Sequence, residues 1–346
     1  MSFTCIDGFS GAGGLSLGLS KAGFDLLYSF DIDKCSVETQ LLNKKYFSHK
    51  IQELDIREFD PIKTMNDLGL IKGELSLFAG GPPCQGFSIQ RIGSDKDDRN
   101  NFVFVFIEKM IALSPKFFLL ENVPGLNGKR GKQILEDALN YAEQNGYHIH
   151  NNILNAQEYG VPQRRKRVII VGERKSDSPL KFSYPTPSTK KISVRDTIGH
   201  LPATPKNGKE HPDIKHHRSD KLSDINVKRI KYVKEGQGMA FLPEHLLADC
   251  HKVGADKIGH RNVYGRMKWD DVAPTITARF DSFTRGMFGH PEQNRTISLR
   301  EGALLQTFPS DFEFVGNKVD IARQIGNAVP VNLAFAVGKE LINALK

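Results

Sequence analysis

The sequence predicts an α/β fold: a mostly parallel, twisted, doubly wound sheet with helices on both faces, joined to a smaller loop-rich lobe. Three observations predict it. Residues 3–6 are a short apolar run ending in the turn Asp7-Gly8-Phe9-Ser10-Gly11-Ala12-Gly13-Gly14, after which Leu15, Leu17 and Leu19 open a helical stretch. Strand, glycine turn and helix are the opening of a doubly wound unit. Short apolar runs then alternate with helical stretches as far as Gly172, which is the pattern of a parallel sheet with crossover helices. After Ser176 the composition changes, because Pro179, Pro185, Pro187, Pro202, Pro205 and Pro212 break up regular structure. That change marks a domain boundary, and a chain of 346 residues is long for one compact domain. The division expected is 1–182 with 318–346 as the large lobe and 183–317 as the small one.

The elements follow in order. The turn after the first strand lets a ligand approach the backbone, but Ser16 stands where a dinucleotide fingerprint would have its third glycine, which argues against NAD. Residues 26–30 form a second strand ending in Asp31-Ile32-Asp33. An acidic residue there is placed to grip ribose hydroxyls, with Ile32 against a base, while Asp33 reads equally as the N-cap of the helix over 35–42. A short third strand precedes Asp55-Ile56, where Asp55 is placed to meet an adenine amino group. Residues 75–79 are a buried fourth strand. A helix over 102–113 leads to a fifth strand, 116–120, which ends in Glu121-Asn122-Val123-Pro124-Gly125. A helix over 132–145 and strands over 147–154 and 168–172 complete the lobe. Residues 324–330 read as a turn, and Leu333, Val337, Leu341 and Leu345 mark a final amphipathic helix packing near the glycine turn.

The stretch that carries chemistry follows the fourth strand: Gly80-Gly81-Pro82-Pro83-Cys84-Gln85-Gly86-Phe87-Ser88. Two prolines fix the backbone before one cysteine, and glycines on both sides remove bulk. A thiolate at a rigid strand end is the soft nucleophile for an electron-poor ring carbon, although the same cysteine alone reads as an ordinary buried residue after a tight turn. Residues 85–100 read as a mobile loop. Glu121, at the neighbouring strand end, is placed to hold or deliver a proton, or only to cap the next turn. In Gln163-Arg164-Arg165-Lys166-Arg167, alternation along a strand puts Arg165 and Arg167 on one face, where a guanidinium can hold a base carbonyl or a phosphate.

Charge and cysteine usage bound the function class. Residues 151–300 carry 28 Lys and Arg against 16 Asp and Glu, a net of +12, so the rest carry −4 of the chain's +8. That asymmetry suits a polyanion on one face, and Lys228, Arg229, Lys231, Tyr232, Arg261, Tyr264 and Arg266 supply cations and rings for it. Cys5, Cys35, Cys84 and Cys250 are scattered without CxxC spacing, which fits a reduced cytoplasmic compartment and no structural zinc. The reading includes no signal peptide and no membrane span.

Taken together, these stretches resemble the DNA (cytosine-5) methyltransferase family of prokaryotic restriction-modification type, in the family's order and over nearly the whole chain. Residues 7–14 look like its methyl-donor loop, Pro82-Pro83-Cys84-Gln85 like its nucleophile motif, and Glu121-Asn122-Val123 like its acid motif. Residues 163–167 look like its arginine motif, residues 300–309 like the segment closing its recognition lobe, and Gly326-Asn327-Ala328-Val329-Pro330 like its last motif. Gly8 departs from the family, which usually has a larger apolar residue there, and this would loosen packing beside the donor. Ser282-Phe283-Thr284 stands where the tRNA-modifying members carry Cys-Phe-Thr, so the serine points to DNA.

The resemblance implies a Rossmann-like methyltransferase fold with a target-recognition domain, S-adenosylmethionine as donor, S-adenosylhomocysteine as product and no metal. Donor contacts are expected from Asp7, Phe9, Gly11 and Gly13 at the first turn and from Asp31, Ile32, Asp55 and Ile56 at the next two strand ends. Pro82, Asn327 and Ala328 complete that set. A cytosine flipped out of duplex DNA would meet the Cys84 thiolate at C6, Glu121 at N3 and Arg167 with Arg165 at O2. DNA contacts are expected from Gln85, Ser88, Arg99, Arg165, Arg261 and Arg266. A monomer, methylating one cytosine in a short sequence also recognised by a cognate restriction endonuclease without physical contact, completes the expectation. The alternatives are a tRNA cytosine-5 methyltransferase and a catalytically silent DNA-binding regulator.

Overall fold

The computed structural model describes residues 2–83, 102–128, 131–176, 181–252 and 262–346. The chain forms two compact units. The first comprises Met1–Tyr159, Lys166–Pro187 and Val329–Lys346, and the second Gly160–Arg165 and Ser188–Ala328.

The first unit is built on seven strands: β1 Phe3–Gly8, β2 Phe24–Asp31, β3 Lys50–Glu53, β4 Leu77–Gly80, β5 Phe117–Asn122, β6 Tyr147–Asn155 and β7 Lys166–Arg174. Their order is β3-β2-β1-β4-β5-β7-β6. The first five run parallel, and β7 runs antiparallel to both β5 and β6. The chain winds outward one way from β1 and the other way from β4, so the β1–β4 junction is the switch point where ligands bind beyond the strands' carboxyl ends. Asp7, Asp31, Asp55 and Glu121, singled out from the sequence, lie at those ends. Because β7 is reversed, its beginning, not its end, reaches the same edge.

Strand ends are held apart or close by particular side chains. A Cβ on Gly8 would sit 3.0 Å from the Phe30 ring, so the space expected to be loose is filled from β2. Phe30 stacks on Phe59 at 4.7 Å, and Phe78 on Phe106 at 4.7 Å, with Phe59 and Phe78 6.1 Å apart. This row of rings, fully buried, fixes the strand ends from beneath.

The helices of this unit are α1 Gly14–Ala22, α2 Lys34–Leu42, α3 Pro61–Asp67, α4 Phe102–Leu113 and α5 Lys132–Gln144, with a last helix, Val331–Leu345, after the second unit. Asp33 does cap α2, accepting from the Ser36 amide and hydroxyl. α3 was not read from the sequence, although Asp60 accepts from the amides of Ile62 and Lys63 with Pro61 at the first position, a complete start signal. The last helix packs on α1, the helix that follows the glycine turn.

The second unit is loop-rich. Its helices are α6 Val194–Ile198, α7 Asp224–Tyr232, α8 Leu299–Leu305 and α9 Lys318–Asn327, and Val331–Leu345 is therefore α10. Ile230, Val233, Met239, Leu242, Leu246, Val263, Tyr264 and Phe283 form an apolar core. Residues 324–327, read from the sequence as a turn, are the end of α9. Asn317 and Asp320 form a capping box that starts this helix. Gly326 serves a close approach rather than a turn, since a Cβ there would lie 2.2 Å from the Thr277 backbone. α9 packs on α8, which is why 318–328 belong to the second unit.

Among the described residues one stretch, Lys318–Leu345, has the length and mean hydropathy (1.2) of a membrane span. It is α9 and α10, interrupted at residues 328–330, and neither helix reaches the ~20 residues a span needs. Of its most apolar 18-residue window, 61% is buried inside the protein.

Candidate active site

The site is built from the carboxyl edge of the sheet. At the end of β1, Gly11 and Gly13 have φ of 53° and 87°, a left-handed backbone that lets the turn close tightly. Asp31 at the end of β2 accepts the Gly11 amide at 2.8 Å and the Asp33 amide at 2.8 Å, tying that turn to the neighbouring strand. Phe9 sets its ring edge-on to Phe102 at 5.8 Å. Ile32 is 61% exposed, an apolar surface beside the Asp31 carboxylate.

Asp7 is fully buried and accepts a hydrogen bond from Ser16. Ser16 is the residue that breaks the dinucleotide fingerprint, and this is its use. The other carboxylate oxygen of Asp7 has no hydrogen-bond partner among the described residues. Burial and the nearby Asp31 push the Asp7 carboxyl up to about 7, against the opposing pull of Ser16. The Asp31 carboxylate beside this turn suits ribose hydroxyls, and the turn offers a cationic ligand no competing positive charge. The residues therefore fit a sulfonium-bearing nucleoside.

Asp55 is held by Arg57, whose backbone amide and Nε donate to Oδ1 at 2.9 and 3.1 Å and whose Nη2 donates to Oδ2. That fork holds the Asp55 carboxyl below the usual range. Arg57 in turn lies over the Phe102 ring at 5.4 Å. Ile56 is buried in the core with Phe30 and Phe59, so any contact it makes to a ligand is through its backbone.

Glu121 and Arg167 meet in the interior of the first unit. Arg167 Nε lies 2.8 Å from Glu121 Oε1, with each side chain 10% exposed. The β5–β7 register, Asn122 opposite Val168, brings them together. Among the described residues, no donor makes a hydrogen bond of good geometry to that buried Oε1. Burial lowers the Arg167 pKa and Glu121 opposes the shift. A Cβ on Gly81 would stand 3.4 Å from Glu121 Oε2, so the second carboxylate oxygen faces the chain just ahead of Pro82. Asn122 Nδ2 donates to the Pro82 carbonyl at 2.9 Å in a buried bond. The acid of β5 and the grip on the segment leading to Cys84 are thus adjacent residues.

Other expected site residues fall elsewhere. Cys84, Gln85, Ser88, Arg99 and Arg261 lie outside the described residues. Arg165 does not pair with Arg167. It precedes β7, belongs to the second unit and is 1% exposed, so strand alternation never governed it. Its Nη1 donates to the Ile276 carbonyl at 2.8 Å, and its Nη2 to the Gly326 and Ala328 carbonyls at 3.0 Å each. Arg266 is not placed for DNA contact. Nε donates to Val233, Nη1 to His290 and Gln293, and Nη2 to Ile230 and the Asn294 side chain. All five donors of a guanidinium are consumed inside the unit. Arg229 and Tyr264 are likewise core, the guanidinium lying 4.4 Å above the ring. Lys228, Lys231 and Tyr232 are exposed, as is Asn327, while Ala328 is half-buried.

Three residues that shape the site were not singled out from the sequence. Asn122 sits inside a quoted motif, but nothing in its spacing shows that it binds Pro82. Arg57 had a signal, an arginine two residues after an aspartate. Gln40, buried in α2, donates to the Ser10 hydroxyl at 2.8 Å and the Gly11 carbonyl at 2.7 Å, bracing the turn from a helix whose sequence carries no mark of it. Among the described residues, no group of three or more His, Cys, Asp and Glu side chains could hold a metal ion.

A sheet in this order with a reversed seventh strand, carrying paired carboxylates at its first glycine turn, defines a nucleoside-binding transferase of the Rossmann-like methyltransferase class. Comparison with known proteins narrows the class. The family model for C-5 cytosine-specific DNA methylases matches residues 3–343. Type II methylase M.HgiDII of Herpetosiphon aurantiacus is 35% identical over 343 residues, which are 97% of this chain and 94% of that protein. Type II methyltransferase M1.HphI of Haemophilus parahaemolyticus is 35% identical over 353 residues, 99% of this chain and 87% of that protein. A prophage-encoded E. coli protein, solved by crystallography and assigned as a DNA modification methyltransferase, matches with a TM-score of 0.77 and 26% identity over 99% of both chains. The chain belongs to the C-5 cytosine-specific DNA methylase family. Family and fold imply S-adenosylmethionine as the methyl donor.

Proposed function

We propose that the protein methylates C5 of one cytosine within a short, specific sequence of duplex DNA, through a covalent bond from Cys84 to C6, as the modification enzyme of a restriction-modification system. It acts as a monomer, needs no metal and no membrane, and a cognate endonuclease reads the same site without touching it. The observation that carries this reading is the buried Glu121–Arg167 pair at the edge where the chain leaves β4 toward Cys84.

Each residue has a role in this reading. Asp31, Ile32 and Phe9 hold the ribose and adenine of the donor, Asp7 and the Gly11–Gly13 turn lie along its cationic end, and Asn327 with Ala328 meets the methionine. When bound, the donor supplies a methyl group made electrophilic by a sulfonium. Cytosine C5 is a poor nucleophile, and addition of the Cys84 thiolate to C6 turns the ring into an enamine whose electron density lies at C5. Glu121 holds the proton at N3 as that density shifts, and Arg167 fixes O2 and keeps Glu121 oriented. Once C5 carries the methyl group, a water takes the C5 proton, the C5–H electrons re-form the C5=C6 double bond, and the Cys84 thiolate leaves C6. The exposed lysines of the second unit supply affinity for phosphates that falls steeply with salt.

The test is incubation of duplex DNA with labelled S-adenosylmethionine, followed by bisulfite sequencing, with a 5-fluorocytosine duplex in parallel. Label at one cytosine of a recurring short sequence, and a fluorocytosine adduct mapped to Cys84 by mass spectrometry, are expected. Incorporation into tRNA in place of DNA, or an adduct on another cysteine, would overturn the reading.

A further inference from the structure

We infer that Arg165 is a positioning residue for the donor-binding turn, not a second base-contacting arginine beside Arg167. The inference rests on the reading of Asn327 as the methionine-end contact.

The end of α9 is the observation that carries it. A helix leaves its last carbonyls without amide partners, and the usual remedy is a left-handed glycine just beyond the end. Here Pro330 follows closely and has no N–H to give. Two side chains from distant parts of the second unit do that work. The Ile325 carbonyl accepts from Gln306 Nε2 at 2.6 Å, and the Gly326 carbonyl accepts from Arg165 Nη2 at 3.0 Å. The Ala328 carbonyl accepts from both, at 3.0 Å from Arg165 and 3.3 Å from Gln306. The guanidinium therefore grips the carbonyls on either side of Asn327. A cation at a helix carboxyl end also meets the favourable side of its dipole.

The grip is itself locked. Gln163 Nε2 donates to Gln306 Oε1 at 2.8 Å and to the Leu305 carbonyl at 3.0 Å, while its Oε1 accepts the Ile276 amide at 2.8 Å. Arg165 holds the Ile276 carbonyl at 2.8 Å. Gly326 is pressed against the Thr277–Ala278 backbone. Arg165, Gln163 and Gln306 are all essentially fully buried, whereas Asn327 is exposed. The network spends buried donors to fix the backbone of one exposed asparagine. A lysine at 165 would keep the charge but lose the planar fork that spans two carbonyls.

The experiment compares Arg165→Lys, Gln306→Met, Asn327→Ala and Arg167→Lys. Affinity for S-adenosylhomocysteine is read by calorimetry, and the rate of adduct formation on a 5-fluorocytosine duplex at saturating donor is read by gel. Arg165→Lys is expected to weaken S-adenosylhomocysteine about tenfold, the loss from breaking one to two such bonds, with the adduct rate within about threefold of the parent. Gln306→Met is expected to shift affinity in the same direction, and it stands in if Arg165→Lys does not fold. Arg167→Lys is expected to do the reverse, slowing the adduct and sparing affinity. A slowed adduct with unchanged affinity in Arg165→Lys, or unchanged affinity in both Arg165→Lys and Gln306→Met while Asn327→Ala weakens it, would overturn the inference alone. Unchanged affinity in Asn327→Ala would remove the donor assignment of that turn, and the inference with it.

Discussion

Asp7 is the residue whose removal should show most plainly as a change with pH. It is fully buried, and its carboxyl is raised to about 7, chiefly by burial, with Asp31 adding repulsion and Ser16 opposing. In the unfolded chain an aspartate titrates at about 3.9. The folded protein therefore holds a proton that the unfolded chain gives up. Stability from this group is complete below about pH 4 and is lost as pH rises through about 7. Between pH 5 and pH 8 the loss works out at about 3 kcal/mol, from the difference in protons bound by the two states at 1.36 kcal/mol per unit. Asp7→Asn keeps an acceptor for Ser16 and cannot titrate. Its constant cost cancels when the same variant is measured at two pH values. Urea unfolding of both proteins at pH 5 and pH 8 is the assay. The parent should lose about 3 kcal/mol more than Asp7→Asn over that interval. A difference between the two proteins that does not change with pH would refute the reasoning, because it would mean that Asp7 is already ionised at pH 5.

Two further outcomes follow from the acid edge of the sheet. Glu121→Gln should lower kcat by about a hundredfold or more, as expected for loss of a positioned acid, while DNA affinity in a filter-binding assay stays within about threefold; equal losses in both would move Glu121 out of the chemistry. Asn122→Asp removes the donor held by the Pro82 carbonyl, and should slow adduct formation on a 5-fluorocytosine duplex while leaving S-adenosylhomocysteine affinity in place; an unchanged adduct rate would show that the Pro82 contact does not set the nucleophile segment.

The fold was legible wherever one short signal decided an element. Seven strands and most helices of the first unit could be read because buried parallel strands are apolar runs closed by turn residues, as at Leu77–Gly80 and Phe117–Asn122. What could not be read was where irregular chain belongs. Residues 324–330 look like a turn, since glycine, asparagine and proline fall within seven positions. Gly326 is there because another backbone passes over it, and sequence does not show which backbone. The acid edge was legible in the same partial way. Glu121 and Arg167 could be named as chemistry-bearing groups, and their meeting follows from the reversal of β7 against β5. Asn122 and Gln40 could not, because a hydrogen bond to a particular carbonyl leaves no periodic trace.

The arginines carry the same lesson into function. From the sequence, the positive charge of residues 151–300 reads as one electrostatic footprint for a polyanion. Among the described residues of the second unit, Arg165, Arg229, Arg266, Arg295 and Arg300 are buried, and no lysine is. The division has a physical cause. A guanidinium offers five donors in a rigid fork and is weakly hydrated, so it can satisfy several carbonyls in a loop-rich interior that lacks sheet and long helices. Arg266 does this with all five, and Arg295 closes a bidentate pair with the buried Glu301 at 2.7 Å on each arm. An ammonium is a strongly hydrated point charge and stays at the surface. Among the described residues, Arg165 and Arg266, two arginines that read as DNA contacts in the sequence, instead hold together a lobe with little regular structure. The charge left to face phosphates is carried largely by lysines, including Lys228 and Lys231 on α7, and a phosphate grip made of lysines adds affinity without choosing a base.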